Sequence, residues 1–226
     1  MGSVRAQKHA IALRRELESS RRIDLLAEPD AADPRFHTDY LLGPALGQMF
    51  GVLECQDSRG KTVVLRAFSG QYNGVWKVPG WAPPVFDLEA YHGIMIPGDR
   101  RIKDLGRKIE AGGSDCADLK RQRKALSQSL MKELHDLYQL TNFRGGTQPM
   151  ADFFGAVQGI PTGAGDCCAP KLLNQAARLN LHPLGLAEFY WGASNRSGTR
   201  KHGHFYDSCG DRCQPILGFM LCGVTA

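Results

Sequence analysis

Cys167 and Cys168, His202 and His204, and Cys209 and Cys213 all fall inside Gly163–Cys213, a stretch that holds four of the chain's seven cysteines. Thiolates and imidazoles gathered this densely are the donor set of zinc, which takes N and S ligands and leaves one position open when it is catalytic. The economical ligand set is Cys167, Cys209 and Cys213, with His202 or His204 as a fourth ligand or a substrate contact. Within the same stretch, Glu188 interrupts an apolar run and Asp166 precedes the cysteine pair. A carboxylate in such a run is expensive unless it is paired or used, so Glu188 and Asp166 are the candidate acid–base groups. Adjacent cysteines could instead serve a thiol-redox role, although Cys167-Cys168 lacks the usual C-x-x-C spacing.

Three elements must position these residues. Pro170 is tolerated in a first helical turn, so GDCCAPKLLNQAARLN predicts a helix starting at about Cys167. A thiol there would have its thiolate favoured by the helix N-terminus; Cys167 is the functional candidate and Cys168 the buried one. LHPLGLAEFYW predicts a central strand carrying Glu188, and QPILGFML a second helix after Cys213.

Upstream, the chain divides into an N-terminal helix and linker over 1–47, a β-hairpin and extended segment over 48–98, a helical basic insertion over 99–145, and the metal-site half over 146–226. From Val4 to Leu26, Ala10, Leu13 and Leu17 form one face of a basic amphipathic helix. GVLECQ and TVVLRAF flank DSRGK as a hairpin between Phe50 and Phe68. Trp76 and Trp81, in the Gly/Pro-rich run that follows, pack against the sheet or line a base-binding surface. In the insertion, Leu119, Leu126, Leu130, Leu134 and Leu137 form a stripe after a Gly112-Gly113-Ser114 break. Lys120, Arg121, Arg123, Lys124 and Lys132 lie off that stripe, and no acid falls between Leu119 and Lys132. These five cations are the candidate nucleic-acid contacts.

The chain has 226 residues, 42% of them hydrophobic, and a formal charge of +5. It can bury a substantial core and tolerates a polyanionic partner. No apolar run approaches the roughly twenty residues of a membrane span, and no signal-type apolar core follows the N-terminus. With an odd cysteine count, this predicts a reducing cytoplasm and no membrane partner. Nothing in the sequence sets an oligomeric state.

The order hairpin, insertion, helix with a ligand at its start, strand, ligand loop and helix resembles the zinc-dependent cytidine deaminase superfamily, whose pattern is [His or Cys]-x-Glu followed by Pro-Cys-x2-Cys. That resemblance implies an α+β fold, a three-layer deaminase-like mixed sheet with a long helical insertion after the first β-hairpin. It also implies a hydrolase in which zinc activates water against a nucleobase, in RNA or as a nucleoside or nucleotide. The pattern departs at three places: Ala169 stands at the Glu position, Ser208 replaces the Pro, and Cys209 to Cys213 is one residue longer. Over Gln48–Leu221 the strings GQMFGVLECQDSRGK, LRAFSG, PPVFD, RKALSQSL, GDCCAPKLL, LAEFYWG and HGHFYDSCGDRCQPILGFML also resemble the N-terminal extension of some bacterial large pseudouridine synthases. That likeness implies an association with RNA modification, although the synthase's own His-Arg-Leu-Asp string is absent. The alternative function is a non-catalytic, zinc-stapled RNA-binding module.

Overall fold

Runs of apolar and β-branched residues, together with the Asp57 side chain capping the turn at Arg59 and Lys61, build the antiparallel hairpin of β1 (Gln48–Gln56) and β2 (Thr62–Phe68). The computed structural model describes residues 4–112, 115–155, 159–210 and 212–224. Gly113 and Ser114 of the expected break, and Asp211 of the cysteine loop, lie outside the described residues. The later strand β5 (His182–Trp191) pairs with the other side of β1, and the short β6 (Phe205–Tyr206) pairs with β5, giving the order β2-β1-β5-β6. The fold is α+β. Every pairing in this sheet is antiparallel, so the mixed sheet anticipated from the sequence is corrected on that point.

Helix α1 (Val4–Ser20) covers one face, burying Ala6, Ala10, Leu13 and Leu17 against a core that includes Phe50, Phe189 and Trp81. The apolar face matches the sequence pattern, but the helix stops at Ser20, where Arg21 turns to positive φ. Near its start, Arg5 and His9 approach the buried Glu54 carboxylate of β1 at 2.9 and 3.6 Å. Trp81 stacks edge-on to Phe50 and Phe68 and donates its indole N–H to the Ile23 carbonyl at 2.7 Å. Trp76 is buried beside it in sequence, so both tryptophans are packing residues.

Helix α4 (Cys168–Arg178) covers the opposite face. Gly51 of β1 faces Glu188 across the β1–β5 register. A Cβ built on Gly51 would lie 2.7 Å from the Cys168 Cβ and 3.3 Å from the Glu188 Cγ. The glycine therefore lets the start of α4 sit directly on the sheet. Helix α5 (Gln214–Met220) follows Cys213, and β3 (Gln139–Thr141) and β4 (Thr147–Pro149) form a separate two-stranded ribbon.

The chain divides into two compact units: Met1–Val85, Leu140–Gln148 and Pro161–Ala226 form one, and Phe86–Gln139 with Pro149–Ile160 the other. In the second, α2 (Leu88–Glu110) packs on α3 (Cys116–Asp136). Leu130 and Leu134 of the predicted stripe are buried there, and the Leu130 side chain fills the space that a Cβ at Gly98 would need. The helical region begins at Leu88, capped by the Asp87 carboxylate on the Ala90 N–H at 2.7 Å, and not at residue 99. Pro97 lies inside α2 on an exposed turn, where water can take the freed carbonyl. No helix of the described residues is long and apolar enough to cross a membrane.

Filling the Gly51 notch should lift α4 off the sheet. Gly51→Ala is expected to lower stability by about 1–3 kcal/mol in urea unfolding, the range for overpacking a tight core.

Candidate functional site

The two cysteine-bearing helix starts meet. Cys167 is the residue preceding α4 and Cys213 the residue preceding α5, and their thiols are within hydrogen-bonding reach of each other. Cys213 is fully buried. The helix terminus does not make Cys167 a thiolate. Its pKa is pushed strongly upward by the hydrogen bond to Cys213, by burial, and by the nearby Glu188 and Asp166 carboxylates. These outweigh the helix N-terminus, which reverses the expectation of a favoured thiolate. Cys168 packs with its thiol against the Met49 and Ala67 carbonyls at 3.4 and 3.6 Å, an inert buried position as anticipated.

Glu188 is held from two sides. The Ala169 N–H in the first turn of α4 donates to its Oε1 at 3.0 Å, and Ser208 hydrogen-bonds the carboxyl from the loop after β6. Both contacts favour the ionised form, as does Arg200. Burial wins over all three and raises the Glu188 pKa to about 7. The carboxyl lines a cavity of about 470 Å³ together with Tyr206, Ser208, Cys209, Gln214 of α5 and Gln7 of α1. That volume lies within the roughly 300–1,000 Å³ of small-molecule sites. Gln7 had no signal in the sequence: it lies far upstream of Glu188 and reaches the site only because α1 folds across the sheet.

A buried cation supports the α4 start. The Lys171 ammonium donates to the Phe68 and Gly70 carbonyls at 3.0 and 2.5 Å and lies over the Phe68 and Trp76 rings at 4.9 and 5.4 Å. Burial lowers its pKa to about 8, opposed by Asp166 and the two neighbouring thiols. The Gly70 N–H in turn donates to the Asp166 carbonyl at 2.7 Å, so Lys171 ties the end of β2 to the turn that delivers Cys167. Sequence reasoning left Lys171 out because a lysine in a helical pattern reads as a solvated face.

The remaining predicted residues are placed elsewhere or otherwise engaged. His202 accepts the Gly192 N–H on Nδ1 at 3.1 Å and packs on the Trp191 ring at 4.4 Å. The His204 carbonyl accepts the Tyr190 N–H, and its side chain is exposed. The Cys209 carbonyl receives the Cys213 and Gln214 N–H groups. Among the described residues, no three His, Cys, Asp or Glu side chains converge to hold a metal. As placed, Cys167 and Cys213 bring together two of the three donors that an open zinc site uses.

On α3, Arg121 pairs with Asp118 one turn back and Lys132 with Asp136 one turn on, at 3.1 Å for the latter. The acids lie just outside the acid-free window, so among the described residues the expected strip of five uncompensated cations reduces to Lys120, Arg123 and Lys124. These three border one shallow depression with Ser127 and Gln128.

Comparison of the chain with protein-family models, with curated proteins and with solved structures found no match in any of the three.

The Glu188 carboxyl makes stability pH-dependent with a definite sign. The native state holds its proton up to about pH 7, whereas the unfolded chain releases it near 4.5. The stabilisation is complete below the lower value and lost as pH rises through the upper one. Urea unfolding at pH 4.5 and at pH 8 should show the parent losing on the order of 3 kcal/mol more than Glu188→Gln across that interval.

Proposed function

We propose that the Glu188 cavity is a hydrolytic, deaminase-like site acting on a nucleobase, in RNA or as a nucleoside or nucleotide. The observation that carries this reading is a buried carboxyl on the cavity wall with its pKa raised to about 7. Such a group is half-protonated at neutral pH and can both take and return a proton. In the proposed reaction the Glu188 carboxylate takes a proton from water as the water oxygen bonds to the amine-bearing ring carbon. The same carboxyl returns the proton to the ring-bound nitrogen, the C–N bond breaks, and ammonia leaves. Glu188 thereby takes the role that Ala169 cannot fill. The Ala169 N–H contributes by fixing the carboxyl's orientation.

Zinc enters this proposal through the Cys167–Cys213 pair, with Cys209, which lines the Glu188 cavity, as the proposed third donor. Zinc bound there would act as a Lewis acid toward water or substrate. Metal analysis of the purified protein tests it: about one zinc per chain, lost in Cys167→Ser and in Cys213→Ser, supports it, and metal-free protein removes zinc from the proposal. A reducing cytoplasm is proposed with it, on the odd cysteine count.

RNA is proposed as the partner on the separate ground of Lys120, Arg123 and Lys124, with the likeness to the pseudouridine synthase extension supplying the context of RNA modification. The non-catalytic RNA-binding alternative rests on these same three cations. Replacing all three by Ala should weaken single-stranded RNA binding and flatten its log–log salt dependence by about 2, from roughly 0.7 per phosphate contact. An unchanged slope removes this surface from the interface.

Screening nucleosides and total RNA for ammonia release tests the activity itself. Turnover that Glu188→Gln reduces by about a hundredfold or more, with the fold retained, is the expected result. RNA binding with no ammonia release would favour the non-catalytic reading.

A further inference from the structure

The cavity occupies a gap in the sheet. Tyr190 donates its N–H to the His204 carbonyl at 3.0 Å and accepts the Gly203 N–H at 2.7 Å, so even-numbered residues at this end of β5 turn their main-chain groups toward β6. Glu188 is next along that edge, opposite Tyr206, where β6 ends. Two residues farther, Leu186 has its N–H and C=O on the same outer edge with no strand of the described residues beside it, and it lines the cavity. The register irregularity in β5 lies beyond this point, where Gly185 and Pro183 pair with Glu54 and Cys55 and Leu184 is skipped.

We infer that this free main-chain edge at Leu186 is the reading element of the cavity, and that its ligand is a planar nitrogen heterocycle presenting adjacent hydrogen-bond donor and acceptor. A donor–acceptor pair on the ligand answers the N–H and C=O of a single residue, as a neighbouring strand would. The Phe205 ring, 36% exposed on the cavity wall and held edge-on by Phe189 at 6.3 Å, offers the face on which such a ring stacks. Gln7 and Gln214 bring side-chain amides to the same wall. A heterocycle paired at Leu186 lies beside Glu188, two residues along the same edge, which places its base-pairing edge next to the acid–base group. This inference rests on the proposed function for the importance of that neighbourhood, but it concerns binding and needs no turnover.

The test uses full-length Glu188→Gln protein, so that nothing is consumed, and isothermal titration calorimetry with uridine, cytidine, adenosine and guanosine. Each is compared with its form methylated on the base-pairing edge. The expected result is saturable binding of at least one nucleoside, weakened about tenfold or more by the methyl group. Adding Leu186→Pro, which deletes the edge N–H, should weaken binding about tenfold relative to Leu186→Ala, which keeps it. If none of the four binds, if methylation has no effect, or if Pro and Ala are equivalent, the inference is overturned. Should the proline variant fail to fold, the ¹H–¹⁵N resonance of the Leu186 amide decides. It should move on saturation with the nucleoside, and an unmoved resonance overturns the inference. Failure of the catalytic reading appears separately, as no ammonia release by the parent protein or as turnover that survives Glu188→Gln.

Discussion

The structure depends on seating a helix start directly on a sheet above a carboxyl group. Gly51 leaves the notch, Cys168 fills it, and the Ala169 N–H in the next position meets Glu188 at 3.0 Å. A carboxyl left in this position without a donor would be strongly disfavoured. With the donor it is kept, while burial holds its proton near neutrality. The same close approach brings Cys167 to Cys213 and so joins the two helix starts. One packing decision thus sets the carboxyl's protonation, the thiol pair and the wall of the cavity.

Electrostatics at this junction is governed by burial more than by the helix. The N-terminus of α4 would favour anions nearby, by typically less than about 1 kcal/mol. Cys167 is instead pushed toward its neutral form by the hydrogen bond to the partner thiol, by desolvation and by two carboxylates. Lys171 provides the compensating charge, yet its own pKa is drawn down because it too is enclosed. The result is a cluster of groups whose charged forms are all disfavoured, which suits proton exchange better than fixed charge.

Much of the fold was legible in the sequence where one local rule acted alone. The Ala10-Leu13-Leu17 face, the Asp57-capped hairpin, the Glu188 strand and the helix start at Cys167 all follow from period or capping chemistry. The start of α2 was missed because Pro97 reads as a breaker, whereas an exposed turn tolerates it. The charge run was overstated because Asp118 and Asp136 sit just outside the window and pair along the helix with Arg121 and Lys132. Cys167 and Cys213, which the sequence reading grouped, lie side by side, but His202 is taken by the Gly192 N–H and the Trp191 ring. Gln7 and the Leu186 edge follow from topology and leave no local mark in the sequence.

The central claim is that Glu188 is a buried acid–base group poised near neutrality. Its most direct test is a ¹³C NMR titration of the glutamate side-chain carboxyls, with Glu188→Gln used to assign the resonance. The account predicts a midpoint near pH 7 for Glu188. A midpoint near the ordinary 4.5 would contradict it.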